Sequence, residues 1–363
     1  MTIKEQIIEL IKENKVVTQG DISIAIYGDN KHMPNVYSSL MDLVNKGIVK
    51  REGSQPAYYS FYEDGEEPIS VVINKKPLRE KTVRNVAPSK YEFVSVENPY
   101  VLDYLVSGNK KIPALTRKNG DFIEAVVSLD SNYNKDNEII KPDYGFDPEI
   151  NASNSNNKYS GSTRYWFEEM LKPGANFKKL LLGSIITIDS VNSTHLEAAI
   201  DGRKKMRDII CTVCNNVNDL IKKLEEPFDM NDKTNLIVMM SQPIPAKNKG
   251  NSMRINLSFA TKFCAYAAKY LKANVEYSKY DNVVSKALPQ YCAIYLNQQR
   301  ESNSFLANET SGMSDREKTE FKLYIYDDYS KSIAWIIDAL KEKGINLSRE
   351  EIDHIIWYGF KGN

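Results

Sequence analysis

The sequence predicts a mainly α protein, with a small N-terminal module of helices and one hairpin followed by a larger all-helical domain. Apolar residues recur at helical spacing through most of the chain, Gly and Pro punctuate those segments, and clear alternation is confined to the region near residue 50. The chain has 363 residues, which is long enough for two or three domains, each with its own core.

The composition limits the class of protein. Apolar residues make up 42% and charged residues 26%, which is typical of a soluble globular protein and argues against extensive disorder. Lys and Arg total 48, as do Asp and Glu, so a surface that binds a polyanion requires local segregation of charge. The N-terminus is amphipathic rather than signal-like, and no segment has the length of a membrane span. We therefore expect a cytoplasmic protein that makes no membrane contact.

The first sixty residues predict three short helices and a hairpin. A second helix is predicted to begin at Thr18 and end at Gly28, and a third to run from Pro34 to Gly47. The segment IVKREGSQPAYYSFY then alternates polar and apolar residues, which predicts two strands joined by a turn at 53–56. The first helix is predicted by apolar residues at helical spacing: Ile3, Ile7, Ile8, Leu10 and Ile11.

Three helices and a hairpin in residues 1–63 resemble a winged-helix DNA-binding domain, in which the third helix enters the major groove and the hairpin touches phosphate. The resemblance implies that Asn35, Ser38 and Ser39 face base edges, and that Lys50 and Arg51 lie near the DNA backbone. A winged helix that only binds other proteins is the alternative interpretation.

A basic linker is predicted at residues 64–95, because its basic segment 74–93 contains two prolines and little periodicity. It is either an arm that contacts DNA phosphates or a solvated connection between domains. Its candidate DNA-binding residues are Lys75, Lys76, Arg79, Lys81 and Arg84.

The remaining residues, 96–363, predict a mainly helical domain. We expect a helix in NPYVLDYLVSG, a strand in DFIEAVVSL, and a long loop at 130–162 that is either mobile or functional. A helix capped by Ser162 or Thr163 follows, and residues 192–226 predict one long helix. Cys211 and Cys214 form a lone CxxC that we interpret as core packing rather than as a metal site. Neither a metal nor a cofactor is expected.

A lysine stands near the start of the apolar helix predicted in NLSFATKFCAYAAKYL. We expect Ser258 to cap this helix, so that Lys262 lies near its positive end, where burial and the helix dipole favour the neutral, nucleophilic amine. Asp281 is predicted to cap the next helix, 19 residues after Lys262. That offset fits one helix and a short return, so both side chains can meet. The alternative is that Lys262 lies along the helix surface and Asp281 is an ordinary cap.

The segments Ala260-Thr261-Lys262-Phe263 and Tyr280-Asp281-Asn282-Val283 resemble the catalytic core of helix-hairpin-helix DNA glycosylases, especially the 8-oxoguanine glycosylase branch. The resemblance implies an all-helical fold, a damaged base flipped out of duplex DNA, Lys262 as the Schiff-base nucleophile and Asp281 as the stabilising carboxylate. Where that family has a glycine-rich hairpin, this chain has residues 254–259, without glycine. The basic residues just before the helix are further DNA-binding candidates: Lys247, Lys249 and Arg254.

Two functions follow from these patterns. One is a DNA glycosylase-like enzyme that excises a modified base from double-stranded DNA, with strand cleavage through the lysine imine. The other is a non-enzymatic DNA-binding regulatory protein, in which the winged helix binds DNA and the helical region senses a ligand or partner. The Lys262–Asp281 spacing favours the enzyme, whereas the missing glycine hairpin favours the regulator.

Overall fold

The computed structural model describes residues 3–27, 36, 39–40, 43–44, 48–52, 58–61, 84–85, 91–98, 101–129, 138–153, 160–192, 194–247, 252–306, 310 and 312–360. The chain is mainly helical, as predicted. It divides into two compact units, Met1–Glu80 and Lys81–Asn363, so the division falls within the predicted linker. Among these described residues, no helix combines the length and the apolar character that crossing a membrane requires.

The N-terminal unit contains short helices and a small antiparallel sheet. Its labelled elements are α1 (Ile3–Asn14), β1 (Val16–Thr18), α2 (Gln19–Tyr27), β2 (Lys50–Glu52) and β3 (Tyr58–Ser60). Helix α1 ends where Lys15 adopts a left-handed conformation, with φ of 63°. Thr18 and Asp21 then cap α2 reciprocally: Thr18 N donates to Asp21 Oδ2 at 2.9 Å, and Asp21 N donates to Thr18 Oγ1 at 3.2 Å.

The predicted hairpin strands pair, with Lys50 opposite Ser60. A third strand was not predicted: β1 pairs with the other edge of β3, where Val16 lies opposite Ser60. The predicted third helix is helical at its described positions 36, 39–40 and 43–44. The Val36, Leu40 and Leu43 side chains of this helix belong to the core of the unit. That core also contains Ile7, Ile11, Ile22 and Tyr59. The predicted turn at 53–56 lies outside the described residues.

The larger unit begins with short strands and continues as helices. Its strands are β4 (Arg84–Asn85), β5 (Glu92–Val94), β6 (Tyr104–Ser107), β7 (Lys110–Pro113), β8 (Ile244–Pro245), β9 (Met253–Arg254) and β10 (Gln298–Gln299). Its helices are α3 (Arg117–Leu129), α4 (Pro148–Asn151), α5 (Thr163–Met170), α6 (Phe177–Val191), α7 (Gly202–Cys211), α8 (Val217–Glu225), α9 (Leu236–Met240), α10 (Leu257–Leu271), α11 (Asn282–Tyr295), α12 (Asp315–Lys341) and α13 (Arg349–Phe360).

Two predictions near residue 110 were wrong. NPYVLDYLVSG is not a helix, since its second half forms β6, which pairs with β7 across a two-residue Gly108-Asn109 turn. Gly108 has φ of 56°, a conformation that suits a tight hairpin turn. DFIEAVVSL is not a strand but the second part of α3, whose Ile123 and Val127 are both buried one helical turn apart.

The predicted single helix at 192–226 was also wrong. The segment breaks into a 3-10 turn at Leu196–Ala198 and the helices α7 and α8. Asp189, near the end of α6, accepts hydrogen bonds from Leu196 N and Arg203 Nε, both at 2.7 Å, and so draws the chain into a compact bend. His195 and Asp201 occupy left-handed conformations within this bend, with φ of 59° and 51°. Apolar spacing alone did not reveal these side-chain interactions.

The region 130–162 is a loop as predicted over much of its described length, but it contains the short helix α4. Ser162 caps α5 by accepting a hydrogen bond from Tyr165 N at 3.1 Å, which confirms the predicted start of that helix. The C-terminal part of the mainly helical domain predicted at 96–363 consists of the helices α12 and α13.

Helix α10 lies within the core of the larger unit. Its Phe263 ring contacts Phe167 of α5, with 5.7 Å between ring centroids. The predicted cap was wrong by two residues, because the helix begins at Leu257 after Asn256 rather than after Ser258. The CxxC cysteines are free: Cys214 is buried and Cys211 half-buried, and burial raises the pKa of Cys214 to about 12. Within the described ranges, no group of three His, Cys, Asp or Glu side chains could hold a metal ion.

Candidate active site around Lys262 and Asp281

Lys262 lies on the second turn of α10, as its sixth residue. Its neighbours along the helix, Phe259, Ala260, Thr261 and Phe263, are buried, and the lysine side chain itself is 12% exposed. The helix therefore holds this amine at the edge of an apolar core, where it still reaches solvent.

Asp281 is the N-cap of α11, as the sequence predicted. Its backbone is extended, with φ of −127°, and its Oδ1 accepts a hydrogen bond from Val283 N at 2.7 Å. Its Oδ2 lies 3.9 Å from Lys262 Nζ, and the aspartate side chain is 23% exposed. The structure thus brings together the two residues that are predicted to be catalytic, and one carboxylate oxygen faces the amine while the other caps the helix.

The C-terminal end of α6 provides a second negative group near Lys262. Lys262 Nζ donates to the backbone oxygen of Asn192 at 3.5 Å, and Tyr266 Oη donates to Asn192 Oδ1 at 3.2 Å. The end of a helix carries partial negative charge. Asn192 and Asp281 together therefore offset the positive end of α10, an effect that the sequence did not predict.

Hydrogen bonds fix the loop that carries Asp281. Tyr280 N donates to Thr261 Oγ1 at 3.1 Å, and Tyr280 Oη donates to Phe305 O at 2.7 Å. From α12, Tyr329 Oη donates to Lys279 O at 2.9 Å. The loop is therefore anchored at the two residues before Asp281, which keeps its carboxylate in one place relative to Lys262.

An ionic cluster adjoins the pair, centred on Glu350 at the start of α13. Lys269 Nζ lies 2.8 Å from Glu350 Oε2, and Lys279 Nζ lies 3.2 Å from Glu350 Oε1. Burial acts to raise the pKa of Glu350, but the two ammonium charges outweigh it and hold that pKa well below its usual range. The Lys279 ammonium also lies 4.5 Å from the centroid of the Tyr266 ring.

Asp353 lies one turn after Glu350 on α13 and is buried, with 8% of its surface exposed. Within the described part of the chain, its Oδ1 has no hydrogen-bond partner. Burial raises the pKa of Asp353 to about 6, against the opposing charges of Lys279 and Lys262. Beside it, His354 Nδ1 lies 2.7 Å from Glu124 Oε1 on α3.

A groove of about 450 Å³ opens beside this cluster, between the C-terminal half of α10 and the start of α13. Lys269, Lys279 and Glu350 are among the residues that line it, whereas Lys262 and Asp281 are not. The groove therefore borders the ionic cluster but not the lysine-aspartate pair.

A second polar cluster lies at the N-terminus of α10. Asn256 is buried, with 4% exposed, and neither its Oδ1 nor its Nδ2 has a hydrogen-bond partner among the described residues. Arg254 Nη2 donates to Thr194 O at 3.2 Å, whereas its buried Nε likewise lacks a partner in that part of the chain. Burial and then the charge of Arg254 lower the pKa of Lys322 on α12. Positive charge and unsatisfied polar atoms at a helix N-terminus are typical of an anion site.

The other predicted DNA-binding residues are only partly described. Ser39 is half-buried in its helix, and Lys50 is half-buried in β2, which also contains Arg51. Arg84 lies in β4 opposite Gln299, and Lys247 is exposed after β8. The remaining candidates lie outside the described residues: Asn35, Ser38, Lys75, Lys76, Arg79, Lys81 and Lys249.

Sequence reasoning missed Lys279, Asn256 and the charged side of α13. One signal was available, since Glu350, Asp353 and His354 share a helical side on which buried apolar residues would be expected. Comparison with known proteins adds nothing to this site, because no family model, curated protein sequence or solved structure matches the chain.

Proposed function

We propose that this protein is a DNA glycosylase-like enzyme that excises a modified base flipped out of duplex DNA. In this proposal the larger, mainly helical unit is the glycosylase domain, and Lys262 and Asp281 are its catalytic residues. The observation that carries the proposal is the 3.9 Å separation between Lys262 Nζ and Asp281 Oδ2, two groups 19 residues apart in sequence.

The chemistry needs both groups. When the bond between C1′ and the base nitrogen breaks, its electron pair leaves with the base, which takes a proton from solvent, and positive charge develops on the sugar. A fixed carboxylate such as Asp281 stabilises that charge most strongly where water is scarce. The lone pair of a neutral Lys262 amine then forms a bond to C1′, and the nitrogen gives up one proton. The C1′–O4′ bond breaks as the nitrogen lone pair forms the C=N bond, its electron pair goes to O4′, which takes a proton, and strand cleavage follows from the protonated imine.

Partial exposure of the pair suits this role. Side chains that are 12% and 23% exposed are shielded enough to strengthen their electrostatic effect, yet remain accessible to an extruded nucleotide. The hydrogen bonds that hold Tyr280 on both sides of the loop supply the preorganisation that such stabilisation requires.

Arg254, Asn256 and Lys322 support a contact with the DNA backbone. They present positive charge and unsatisfied polar atoms at the N-terminus of α10, in the segment where the resembling family has its glycine-rich hairpin. Side chains in this chain would take the place of glycine backbone amides as ligands for a phosphate.

The N-terminal unit is proposed to be a winged-helix domain that delivers the enzyme to double-stranded DNA. Its support is the order of helices and paired strands, together with Lys50 and Arg51 on β2. Four free cysteines fit a reducing compartment, so we place this activity in the cytoplasm.

Borohydride trapping tests the proposal. The full chain is incubated with duplexes that carry varied base lesions, and the imine is reduced to a stable protein–DNA adduct. We expect an adduct with the wild type and with K286Q, which changes an exposed lysine on α11, but none with K262Q. An adduct that persists in K262Q, or the absence of both base release and adduct across the panel, would overturn the enzyme and leave the non-enzymatic DNA-binding protein.

A further inference from the structure

We propose that Asp353 accepts the proton that Lys262 must release before it acts as a nucleophile. Asp353 would act through Lys262 and would not touch the sugar, so it is a positioning residue. This inference rests on the proposed role of Lys262, but the electrostatic coupling between the two residues can be measured without DNA.

The geometry of α13 directs Asp353 toward the site. Glu350, one turn earlier on the same helix, binds Lys279, which lies two residues before Asp281. Residues three apart on a helix share a side, so Asp353 lies beneath the same loop. Its carboxyl group interacts electrostatically with both Asp281 and Lys262.

Asp353 has the free acceptor that a proton needs. Its buried Oδ1 has no hydrogen-bond partner in the described part of the chain, and an unsatisfied buried carboxylate oxygen is costly. Asp281 is less suited, because its Oδ1 already accepts the hydrogen bond of Val283 and its side chain is more exposed. Protonation of Asp353 removes a buried charge, whereas protonation of Asp281 weakens a helix cap.

The step is a proton transfer within the protein. An N–H bond of the Lys262 ammonium breaks and its electron pair stays on nitrogen, while the proton bonds to a carboxylate oxygen of Asp353. A positive and a negative group become a neutral amine and a neutral carboxylic acid, which a poorly solvated site favours.

Several groups face Asp353 and set its titration. Lys262 approaches from α10, Lys279 and Asp281 from the loop before α11, Tyr329 from α12, and His354 lies next to it on α13. The positive charges favour the carboxylate, and Asp281 favours the acid. Because burial has the largest effect, the pKa of Asp353 is about 6, which brings the acid form close to neutral pH.

Carbon-13 NMR of aspartate-labelled protein tests the coupling. The Asp353 carboxyl signal, assigned by its loss in D353N, should titrate near pH 6 in the wild type. In K262M, which removes a nearby positive charge, the midpoint should rise by roughly half a pH unit or more. K286M should leave it unchanged. A midpoint that is the same in K262M and the wild type would overturn the inference.

The pH profile of base release tests the proton transfer. The wild type should lose activity as pH falls through about 6, where Asp353 already carries a proton. D353N should have lower activity and lack this acidic limb, whereas D338N, an exposed aspartate-to-asparagine change on α12, should keep it. An intact limb in D353N would refute the inference and leave the proposed function standing. No base release from any variant, with the NMR shift present, would refute the proposed function instead.

Discussion

The backbone amide of Tyr280 donates a 3.1 Å hydrogen bond to the side-chain hydroxyl of Thr261. Thr261 immediately precedes Lys262, and Tyr280 immediately precedes Asp281, so this bond joins the two chain segments that carry the proposed catalytic pair. Thr261 Oγ1 also donates to Ser258 O at 3.2 Å, and the Thr261 side chain is fully buried. The Lys262–Asp281 distance therefore depends on a neighbouring contact that contains neither charge.

Replacement of Thr261 by Val should separate these segments. The change keeps the shape but removes the acceptor of Tyr280 N, and an unsatisfied buried N–H costs about 1–3 kcal/mol. We expect the free energy of unfolding, measured with urea, to fall by that amount and base release to decrease. T261S keeps the hydroxyl and should retain most of the activity. Equal losses of activity in T261S and T261V would show that the methyl group, not the hydrogen bond, holds the site.

Asp281 has a structural and a proposed catalytic role, and two substitutions distinguish them. Asn is as good an N-cap as Asp, so the free energy of unfolding of D281N should lie within about 0.5 kcal/mol of the wild-type value. That of D281A should be about 1 kcal/mol lower, because the cap is lost. Both remove the charge, so both should reduce the rate of base release by on the order of 10²-fold or more. Activity that follows the stability of the two variants would argue that Asp281 is only a cap.

The fold could be predicted where local signals agree with the tertiary structure. Ser162 and Asp281 were correctly placed as N-caps because a cap depends on its own few residues. The long helix expected at 192–226 was wrong because Asp189, from the preceding helix, accepts hydrogen bonds from Leu196 and Arg203 and bends the chain. Periodicity carries no information about such distant acceptors.

In the candidate site, too, the sequence predicted local relationships but not distant ones. The spacing between Lys262 and Asp281 reflects one helix and its return, which a sequence displays directly. The charges of Glu350 and Asp353 reach the site from a helix about 70–90 residues further along the chain. Only tertiary packing brings them there, so the ionic cluster had to be observed in the structure.

The stability of the protein should depend on the protonation of Asp353. Its pKa is raised from 3.8 to about 6 on folding, so the folded state binds this proton more tightly than the unfolded state does. The resulting contribution is fully present below about pH 4, is lost as pH rises toward 6, and amounts to about 3 kcal/mol. D353N cannot titrate there. Its free energy of unfolding relative to the wild type should therefore rise by about 3 kcal/mol between pH 3 and pH 7, as urea titrations at several pH values would show. A constant difference across that range would contradict the raised pKa.

Salt dependence tests the proposed DNA contact of the N-terminal unit. Each phosphate contact releases counterions, and losing one reduces the slope of log affinity against log salt by about 0.9. If Lys50 and Arg51 both contact phosphate, the K50A/R51A double variant should bind a duplex more weakly and with a slope smaller by about 2. Lys4 and Lys12 of α1 supply a K4A/K12A control of equal charge change. An equal loss of slope in the control would indicate a diffuse charge effect rather than a hairpin contact.

Arg203 and Asp189 form a buried ion pair, with side chains 2% and 0% exposed and 2.7 Å between Arg203 Nε and Asp189 Oδ2. Removal of the arginine alone leaves a buried, unpaired carboxylate, so R203M should lose about 3–5 kcal/mol of unfolding free energy. As a control, R316M breaks an exposed ion pair on α12 and should change the free energy of unfolding by no more than about 1 kcal/mol.

The double variant R203M/D189N tests whether the stability lost in R203M comes from the unpaired charge of Asp189. Asparagine carries no charge but keeps an oxygen that can accept from Leu196 N, so the second substitution should recover part of the stability lost in R203M. Urea unfolding of the two single variants and the double variant measures this coupling directly. If D189N instead adds its full cost to that of R203M, the bend after α6 depends on the hydrogen bonds of Asp189 and not on its pairing with Arg203.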